Sequence, residues 1–175
     1  MKNLTIRRSL FKDTADENTK SLLKKEYQKK SRDSARTPMQ WDSSPQAGFT
    51  TSDSPWMRVN DNYPQINAAS QVKDPESVYH TYRMALEKRK EHKDIFVYGD
   101  FDLVDEDNDK VFAYKRVAGN GDAALVVCNF SKDEVVWSSG VKAREILVSP
   151  TGKKVGDVNG GQIHLAACEA VVLLL

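Results

Sequence analysis

The sequence predicts an α+β fold in which two helices and a long loop precede an antiparallel β-sandwich. Three observations predict it. Apolar residues recur at helical spacing only in the first half of the chain, and a stretch rich in Pro, Ser and Asn separates the two helical segments. From residue 95 onward, apolar residues instead alternate with polar ones in short runs that are separated by turn residues.

The first predicted helix covers residues 14–30. This segment lacks Gly and Pro, is rich in Lys, Glu and Leu, and spaces Leu22, Leu23 and Tyr27 along one side. Residues 31–72 follow as a predicted loop, which is rich in Pro, Ser and Asn and contains four of the six prolines. A loop of this length is uncommon in a compact domain unless it is functional, so we expect it to pack onto or bind something.

The second predicted helix begins after residue 74, with Asp74 as the N-cap and Pro75 in the first turn. It continues to about Lys90. Its apolar side chains recur on one face, which should cover a partner element. They are Val78, Tyr82, Ala85 and Leu86.

The second half of the chain predicts a series of short strands with turn residues between them. They cover residues 95–98, 101–104, 111–116, 123–130, 134–137, 145–148, 162–165 and 170–175. The acidic segment 105–109 is interpreted as a solvated hairpin turn, because a calcium loop would need Gly where Lys110 stands. The aromatic residues of these strands are predicted to be alternating core positions; they are Tyr98, Phe101, Phe112, Tyr114 and Phe130.

Charge and hydropathy exclude several classes of partner. The 26 basic and 25 acidic residues are mixed along the chain, so neither nucleic acid nor an anionic membrane surface is expected as a partner. The longest apolar runs, 123–128 and 170–175, are too short to span a bilayer, and the N-terminus lacks a signal-peptide pattern. We therefore expect a cytoplasmic protein in which Cys128 and Cys168 are reduced and buried.

No cofactor or metal is expected. His80, His92 and His164 are scattered, with no Cys or carboxylate at ligand spacing. The sequence also contains no phosphate-binding glycine loop.

Three segments of the long loop carry distinctive mixed chemistry: SRDSARTPMQWD at residues 31–42, PQAGF at 45–49 and PWMRVN at 55–60. Together they resemble the maltase and isomaltase group of α-glucosidases, in the α-amylase clan of glycoside hydrolases. The resemblance continues in order through DPESV at 74–78, RKEHK at 89–93 and VYGDF at 97–101. Ser34 departs from the family, which usually has Asn or His at that position.

The resemblance implies a (β/α)₈ barrel with a C-terminal antiparallel β-domain. Residues 1–93 would then be the end of the catalytic barrel, comprising the loop after strand eight and the eighth helix. Residues 94–175 would be the β-domain. Because barrel active sites lie where the loops follow the strands, the loop should border the sugar pocket.

The resemblance also implies one substrate-binding residue, Arg36. In the family, the second arginine of this motif contacts the hydroxyls of the terminal glucose, and a planar guanidinium suits that contact. The alternative is that Arg36 ties down its own loop. Other conspicuous residues of the loop are interpreted as scaffold (Arg32, Asp33 and Asp42) or as core anchors (Trp41 and Trp56).

No catalytic residue is predicted within the chain. Family members are retaining enzymes, and their two carboxylates, about 5 to 5.5 Å apart, come from strand ends that precede this segment. A barrel needs about 250 residues. We therefore expect the C-terminal portion of an α-glucosidase that acts on maltose- or isomaltose-like oligosaccharides, and we expect no activity from this portion alone.

The alternative hypothesis is a non-catalytic β-sandwich module that binds carbohydrate or a protein partner. Such a module should expose a row of aromatic side chains on one strand face.

Overall fold

The structure of the protein is a computed structural model that describes residues 16–19, 21–22 and 35–175. The chain forms two compact units, Met1–Lys73 and Asp74–Leu175. Residues 17–19 and 21–22 are helical, and Asp16 is not. The other residues of the helix predicted over 14–30 lie outside the described residues, as do Arg32 and Asp33. Within the described part of the chain, no helix combines the length and apolar character needed to cross a bilayer.

The described loop of the first unit contains two short elements. A turn of 3₁₀ helix covers Pro45–Gly48, and helix α1 covers Ala68–Lys73. Helix α1 was not predicted. Its start is stabilised by Asn67, which is buried and whose side-chain oxygen accepts a hydrogen bond from the Ser70 backbone N–H at 2.9 Å. This is the bond that a helix N-cap makes.

Helix α2, at Val78–Glu91, confirms the second predicted helix, although its cap differs from the prediction. Ser77 is the N-cap, because its side chain accepts a hydrogen bond from the His80 backbone N–H. Asp74 instead accepts from the Glu76 N–H at 3.0 Å, which makes a turn ahead of the helix. A one-turn offset of this kind arises because Asp and Ser are both good caps.

The strand predicted over residues 95–98 is wrong, because helix α3 occupies Lys93–Phe96. Ile95 is buried there against Ala118 and Ala124, so its apolar character reflects burial and not strand pairing. Gly99 then allows a close approach to the sheet. A side chain at this position would place its Cβ 2.5 Å from the Ile95 carbonyl oxygen and 2.7 Å from that of Val117.

Every strand predicted beyond residue 100 is present, and all strand pairs are antiparallel. The strands are β1 Asp100–Val104, β2 Val111–Val117, β3 Ala123–Asn129, β4 Val135–Ser138, β5 Glu145–Val148, β6 Gln162–Leu165 and β7 Ala170–Leu174. One sheet has the order β1-β2-β3-β7-β5, and a second sheet pairs β4 with β6. Helix α4, at Val155–Val158, precedes β6.

The main core lies on one face of the five-stranded sheet, which we call the inner face. Residues of β2, β3 and β7 on that face pack with residues of β4, α4 and β6. They include Val111, Leu125, Val127, Val171 and Leu173 on one side, and Trp137, Val158, Ile163 and Leu165 on the other.

The prediction that the strand aromatics are core residues is wrong for four of the five, while Tyr114 is partly buried. Phe101 is 52% exposed, Phe112 42% and Phe130 74%, and Tyr98 is also exposed. In β2 the buried positions are Val111 and Ala113. Because side chains alternate along a strand, Phe112 and Tyr114 must point to the opposite, outer face.

The two cysteines are free thiols, but neither is buried to the extent predicted. Cys128 in β3 is half-buried, and burial raises the pKa of its thiol. Cys168 is exposed, which corrects the prediction. It lies in the turn before β7 with φ of 57°, so the apolar run around it is not a continuous strand.

Lys153 forms a buried ion pair with Glu169, the residue that follows Cys168 in the turn before β7. The Lys153 Nζ lies 2.5 Å from Glu169 Oε1, and the side chains are only 16% and 2% exposed. Glu169 Oε2 accepts the Ala166 backbone N–H at 2.7 Å, and Thr151 donates to the same carboxylate. Desolvation alone would raise the pKa of Glu169, but the bonds from Lys153, Thr151 and Ala166 outweigh it and lower that pKa.

We expect the free energy of unfolding to depend on pH through Glu169. A carboxyl group whose pKa is lower in the folded state than in the unfolded state stabilises the folded protein. This stabilisation is fully present above the unfolded-state pKa of about 4.3, and it is lost as the pH falls through the folded-state pKa. The substitution Glu169→Gln should lower the free energy of unfolding by roughly 3 kcal/mol at pH 7, because the buried charge of Lys153 then has no partner.

Urea unfolding at pH 7 and pH 3 measures this effect. The difference between wild type and Glu169→Gln should shrink at pH 3. The same substitution at exposed Glu145 is the control and should change little. If Glu169→Gln lowered the free energy of unfolding equally at pH 7 and pH 3, this role for Glu169 would be contradicted.

Candidate functional site

Arg36 lies at the beginning of the described loop, and its side chain is exposed. Pro38, two residues later, is buried and fixes the segment to the first unit. Among the residues that the structure describes, none forms a hydrogen bond or ion pair with Arg36. Its guanidinium therefore retains five N–H donors that can engage a ligand.

Gln40 holds the segment that carries Arg36. Its Nε2 donates to Asn62 Oδ1 at 3.2 Å and to the Ile66 carbonyl oxygen at 2.5 Å. Its Oε1 accepts from Asn60 Nδ2 at 3.4 Å, and its backbone oxygen accepts from the Ala68 N–H at 2.9 Å. Gln40, which was not predicted as a site residue, links the arginine motif to the start of helix α1.

Asp42 organises the turn that follows. Its Oδ1 accepts from the Ser44 side chain and from the Ser44 backbone N–H, the latter at 2.8 Å, and these bonds lower the pKa of the carboxyl. The Ala47 carbonyl oxygen accepts hydrogen bonds from the backbone N–H groups of Trp41 and Asp42, and these bonds close the turn of the chain. Gly48 has φ of 64°, and a Cβ there would lie 2.9 Å from both Asp42 carboxylate oxygens.

The prediction that Trp41 and Trp56 are core anchors is wrong for this structure. Their side chains are 54% and 71% exposed. The buried positions of this segment instead carry small side chains, at Pro38, Ala47 and Val59. Such short residues can be covered by the loop itself, whereas an indole needs a larger core to bury it.

A groove of about 460 Å³ lies on the same unit. Trp56 contributes an indole to it, and Arg58 is ion-paired with Asp61 at its edge. The remaining lining residues are Gln46, Asp53, Ser54, Pro55, Val59 and Tyr63. An aromatic side chain with hydroxyl, amide and carboxylate groups around it can bind a polar neutral ligand.

Two of the carboxylates that the structure describes have structural roles. Asp42 closes its turn, and Asp105 accepts hydrogen bonds from Asn108 Nδ2 and Trp137 Nε1, both at 2.8 Å, in the 105–109 turn. Within the described ranges, no group of three His, Cys, Asp or Glu residues could hold a metal ion. Arg36 can hold a hydroxyl or an anion, but a guanidinium can neither attack carbon nor donate a proton at neutral pH.

Comparison with known proteins shows which proteins the chain is similar to. The family described as the catalytic domain of α-amylase matches residues 1–99. An oligo-1,6-glucosidase of Halalkalibacterium halodurans is 50% identical over 101 residues, which cover 58% of this chain and 18% of that protein. The oligo-1,6-glucosidase of Parageobacillus thermoglucosidasius is 39% identical over 152 residues, 81% of this chain and 26% of that protein.

Solved structures agree with these matches. The crystal structure of the trehalulose synthase MutB from Pseudomonas mesoacidophila superposes with a TM-score of 0.75 at 35% identity, over 82% of this chain and 26% of that one. The trehalose-6-phosphate hydrolase of Bacillus licheniformis gives a TM-score of 0.73 at 32% identity, over 83% and 26%. The chain thus spans about a fifth to a quarter of the length of the proteins it matches.

Proposed function

Because the chain belongs to the α-amylase family of glycoside hydrolases, we propose that it forms the C-terminal portion of an α-glucosidase that releases terminal α-linked glucose. The relatives include proteins named α-glucosidase and oligo-1,6-glucosidase, which supports maltose- or isomaltose-like oligosaccharides as the substrates. The catalytic carboxylates would come from the part of the protein that precedes this segment.

The observation that carries the proposal is the exposed Arg36 at the end of a segment held by Gln40. A contact to a glucose hydroxyl needs a donor that is not consumed by its own loop, and Arg36 meets this condition among the described residues. The hydrogen bonds of Gln40 hold this segment in place, which limits the conformational entropy lost when the sugar binds. The role of Arg36 is therefore to hold the terminal glucose while carboxylates elsewhere perform the chemistry.

We further propose that residues 1–93 complete a (β/α)₈ barrel and that residues 94–175 form its C-terminal β-sandwich. The match of the catalytic-domain family to residues 1–99 supports this division. Helix α2 also supports it, because Val78, Tyr82 and Leu86 line an exposed apolar groove. The eighth helix of a barrel would bury such a face against strands.

The proposed location is the cytoplasm, which the free thiols of Cys128 and Cys168 support.

Glucose release by a longer protein tests the proposal. The segment of the Halalkalibacterium halodurans relative that precedes its match would be joined to this chain, and maltose and isomaltose would be supplied separately. We expect glucose from at least one of the two sugars. A folded chimera that hydrolyses neither sugar would refute the proposed function.

A further inference from the structure

The groove that Trp56 lines, which we call the Trp56 groove, is connected to the segment that carries Arg36. Gln40 follows Arg36 by four residues, so their Cα atoms are at most about 14 Å apart. The Gln40 side chain bonds to Asn60 and Asn62, which are sequence neighbours of residues that line the groove. These bonds place the groove near the arginine that is proposed to hold the terminal glucose.

One residue of the groove, Gln46, has a strained backbone. Gln46 has φ of 56° and Ala47 has φ of 58°, values that residues other than glycine rarely adopt. Hydrogen bonds hold the pair in this conformation. The Ala47 N–H donates to the Ser44 carbonyl oxygen at 2.8 Å, and the Gln46 carbonyl oxygen accepts the Phe49 N–H at 3.0 Å. Strained residues that their surroundings hold in place cluster at ligand-binding sites, so this strain indicates a functional groove.

The groove combines an exposed aromatic surface with hydrogen-bonding groups that a ligand can use. The Trp56 indole is exposed. Within the described part of the chain, no residue forms a hydrogen bond with the Gln46 side-chain amide or with the Tyr63 hydroxyl. The amide supplies two donors and an acceptor, and the hydroxyl can both donate and accept. The groove therefore offers both kinds of partner that a ligand hydroxyl needs.

These groups suit a neutral sugar better than an anionic ligand. A pyranose ring has C–H groups on its faces and hydroxyls around its edge, so an indole can cover a face while polar side chains bond the edge. Asp53 and Asp61 supply two carboxylates to the groove, and Arg58, which is ion-paired with Asp61, supplies its one cation. This charge balance disfavours a phosphorylated sugar.

We propose that the Trp56 groove binds the leaving-group sugar, which is the unit on the other side of the scissile bond from the glucose held by Arg36. This inference rests on the proposed function. Trp56 covers one face of the leaving-group sugar, and Gln46 and Tyr63 bond its hydroxyls. Trp56 is thus a specificity-determining residue, because it favours unphosphorylated oligosaccharides over glucosides with a small leaving group.

Nuclear magnetic resonance of the tryptophan indoles measures sugar binding to the chain alone. The chain has three tryptophans, so a ¹⁵N-labelled sample gives three indole N–H signals, which single Trp-to-Phe variants assign. Glucose and maltose at up to roughly 100 mM, which saturates a site of millimolar affinity, should shift the Trp56 signal. The signals of Trp41, which is exposed but outside the groove, and of buried Trp137 should stay in place. Glucose 6-phosphate should shift the Trp56 signal several-fold less than glucose.

Kinetics of the chimera separate the leaving-group site from the site of the terminal glucose. α-Glucosyl fluoride has no sugar in its leaving group, so it does not use the groove. Trp56→Ala should lower the ratio of kcat/KM for the hydrolysed disaccharide to kcat/KM for α-glucosyl fluoride by roughly 10- to 100-fold. Arg36→Ala should instead lower kcat/KM for both substrates. Trp41→Ala removes an exposed indole outside the groove, so it is the matched control and should leave the ratio unchanged.

Two results would overturn the proposal. One is an unchanged ratio in a folded Trp56→Ala chimera, and the other is a Trp56 signal that does not shift, or shifts no more than that of Trp41, in the titration. The titration does not depend on catalysis. A saturable shift of Trp56 beside a folded chimera that hydrolyses neither disaccharide would therefore support the groove as a sugar site and refute the proposed function.

Discussion

The chain alone is expected to release no measurable glucose from maltose or isomaltose, whereas the chimera with the preceding segment of a relative should hydrolyse at least one of them. Retaining glycoside hydrolysis needs a carboxylate nucleophile and a carboxylic acid about 5 to 5.5 Å apart. Enzymes typically accelerate their reactions by at least about 10⁶-fold, so losing both groups should remove all activity above background.

Coupled detection of glucose at equal molar protein concentrations measures this difference. The assay should be repeated with the Asp42→Asn and Glu169→Gln variants of the chain, so that any residual rate can be attributed. Any glucose release by the purified chain would contradict the prediction. Release that disappears in a variant shown to remain folded would show that the chain has its own catalytic carboxylate.

Replacing Arg36 by Ala in the chimera should lower kcat/KM by roughly 10- to 150-fold, which is the value of one or two hydrogen bonds from a charged donor. Arg36→Lys should recover only part of this loss. Lysine keeps the charge but lacks the planar fork that can bridge two oxygens.

The control for this prediction is Arg144→Ala. Arg144 is an exposed arginine of the β-sheet unit, where it pairs with Asp122 at 3.2 Å, and such surface pairs contribute little to stability. Its removal should leave kcat/KM unchanged. An Arg36→Ala chimera with wild-type kcat/KM would instead assign Arg36 to the loop.

The strands beyond residue 100 were predictable because alternation and turn residues agree there. In β5 and β6 the predicted and observed bounds coincide. The strand predicted over residues 95–98 was wrong because a short apolar run is too short to show a periodicity. Periodicity is what would distinguish a strand from a buried helical turn. Ile95 is apolar because it packs on Ala118 and Ala124, a contact between distant parts of the chain that local pattern does not show.

The faces of the strands were harder to predict than their positions. Alternation indicates that Phe112 and Val111 point in opposite directions, but it does not indicate which direction is the core. The prediction placed the larger side chain of Phe112 in the core, but the residues of β2 that lie in the core are Val111 and Ala113. This choice is decided by the second sheet, whose Trp137 and Ile163 pack against the inner face.

The candidate site was predictable only where residue type carries a function. Arg36 could be proposed because its motif resembles that of the α-glucosidases, and its contact with the sugar stays a prediction. Gln40 could not, because its bonds to Asn62 and Ile66 join residues more than 20 positions apart. An amide side chain in a polar loop has no local signal that distinguishes a structural hub from a solvated surface residue.

The most direct test of the account is a crystal structure of the chimera with glucose or a non-hydrolysed maltose analogue bound. We expect the Arg36 guanidinium within about 3.2 Å of a hydroxyl of the terminal glucose, a normal hydrogen-bond distance. The segment held by Gln40 should keep its present conformation. A bound glucose whose hydroxyls all lie beyond about 5 Å from Arg36, with the guanidinium bonded to its own loop, would contradict the account.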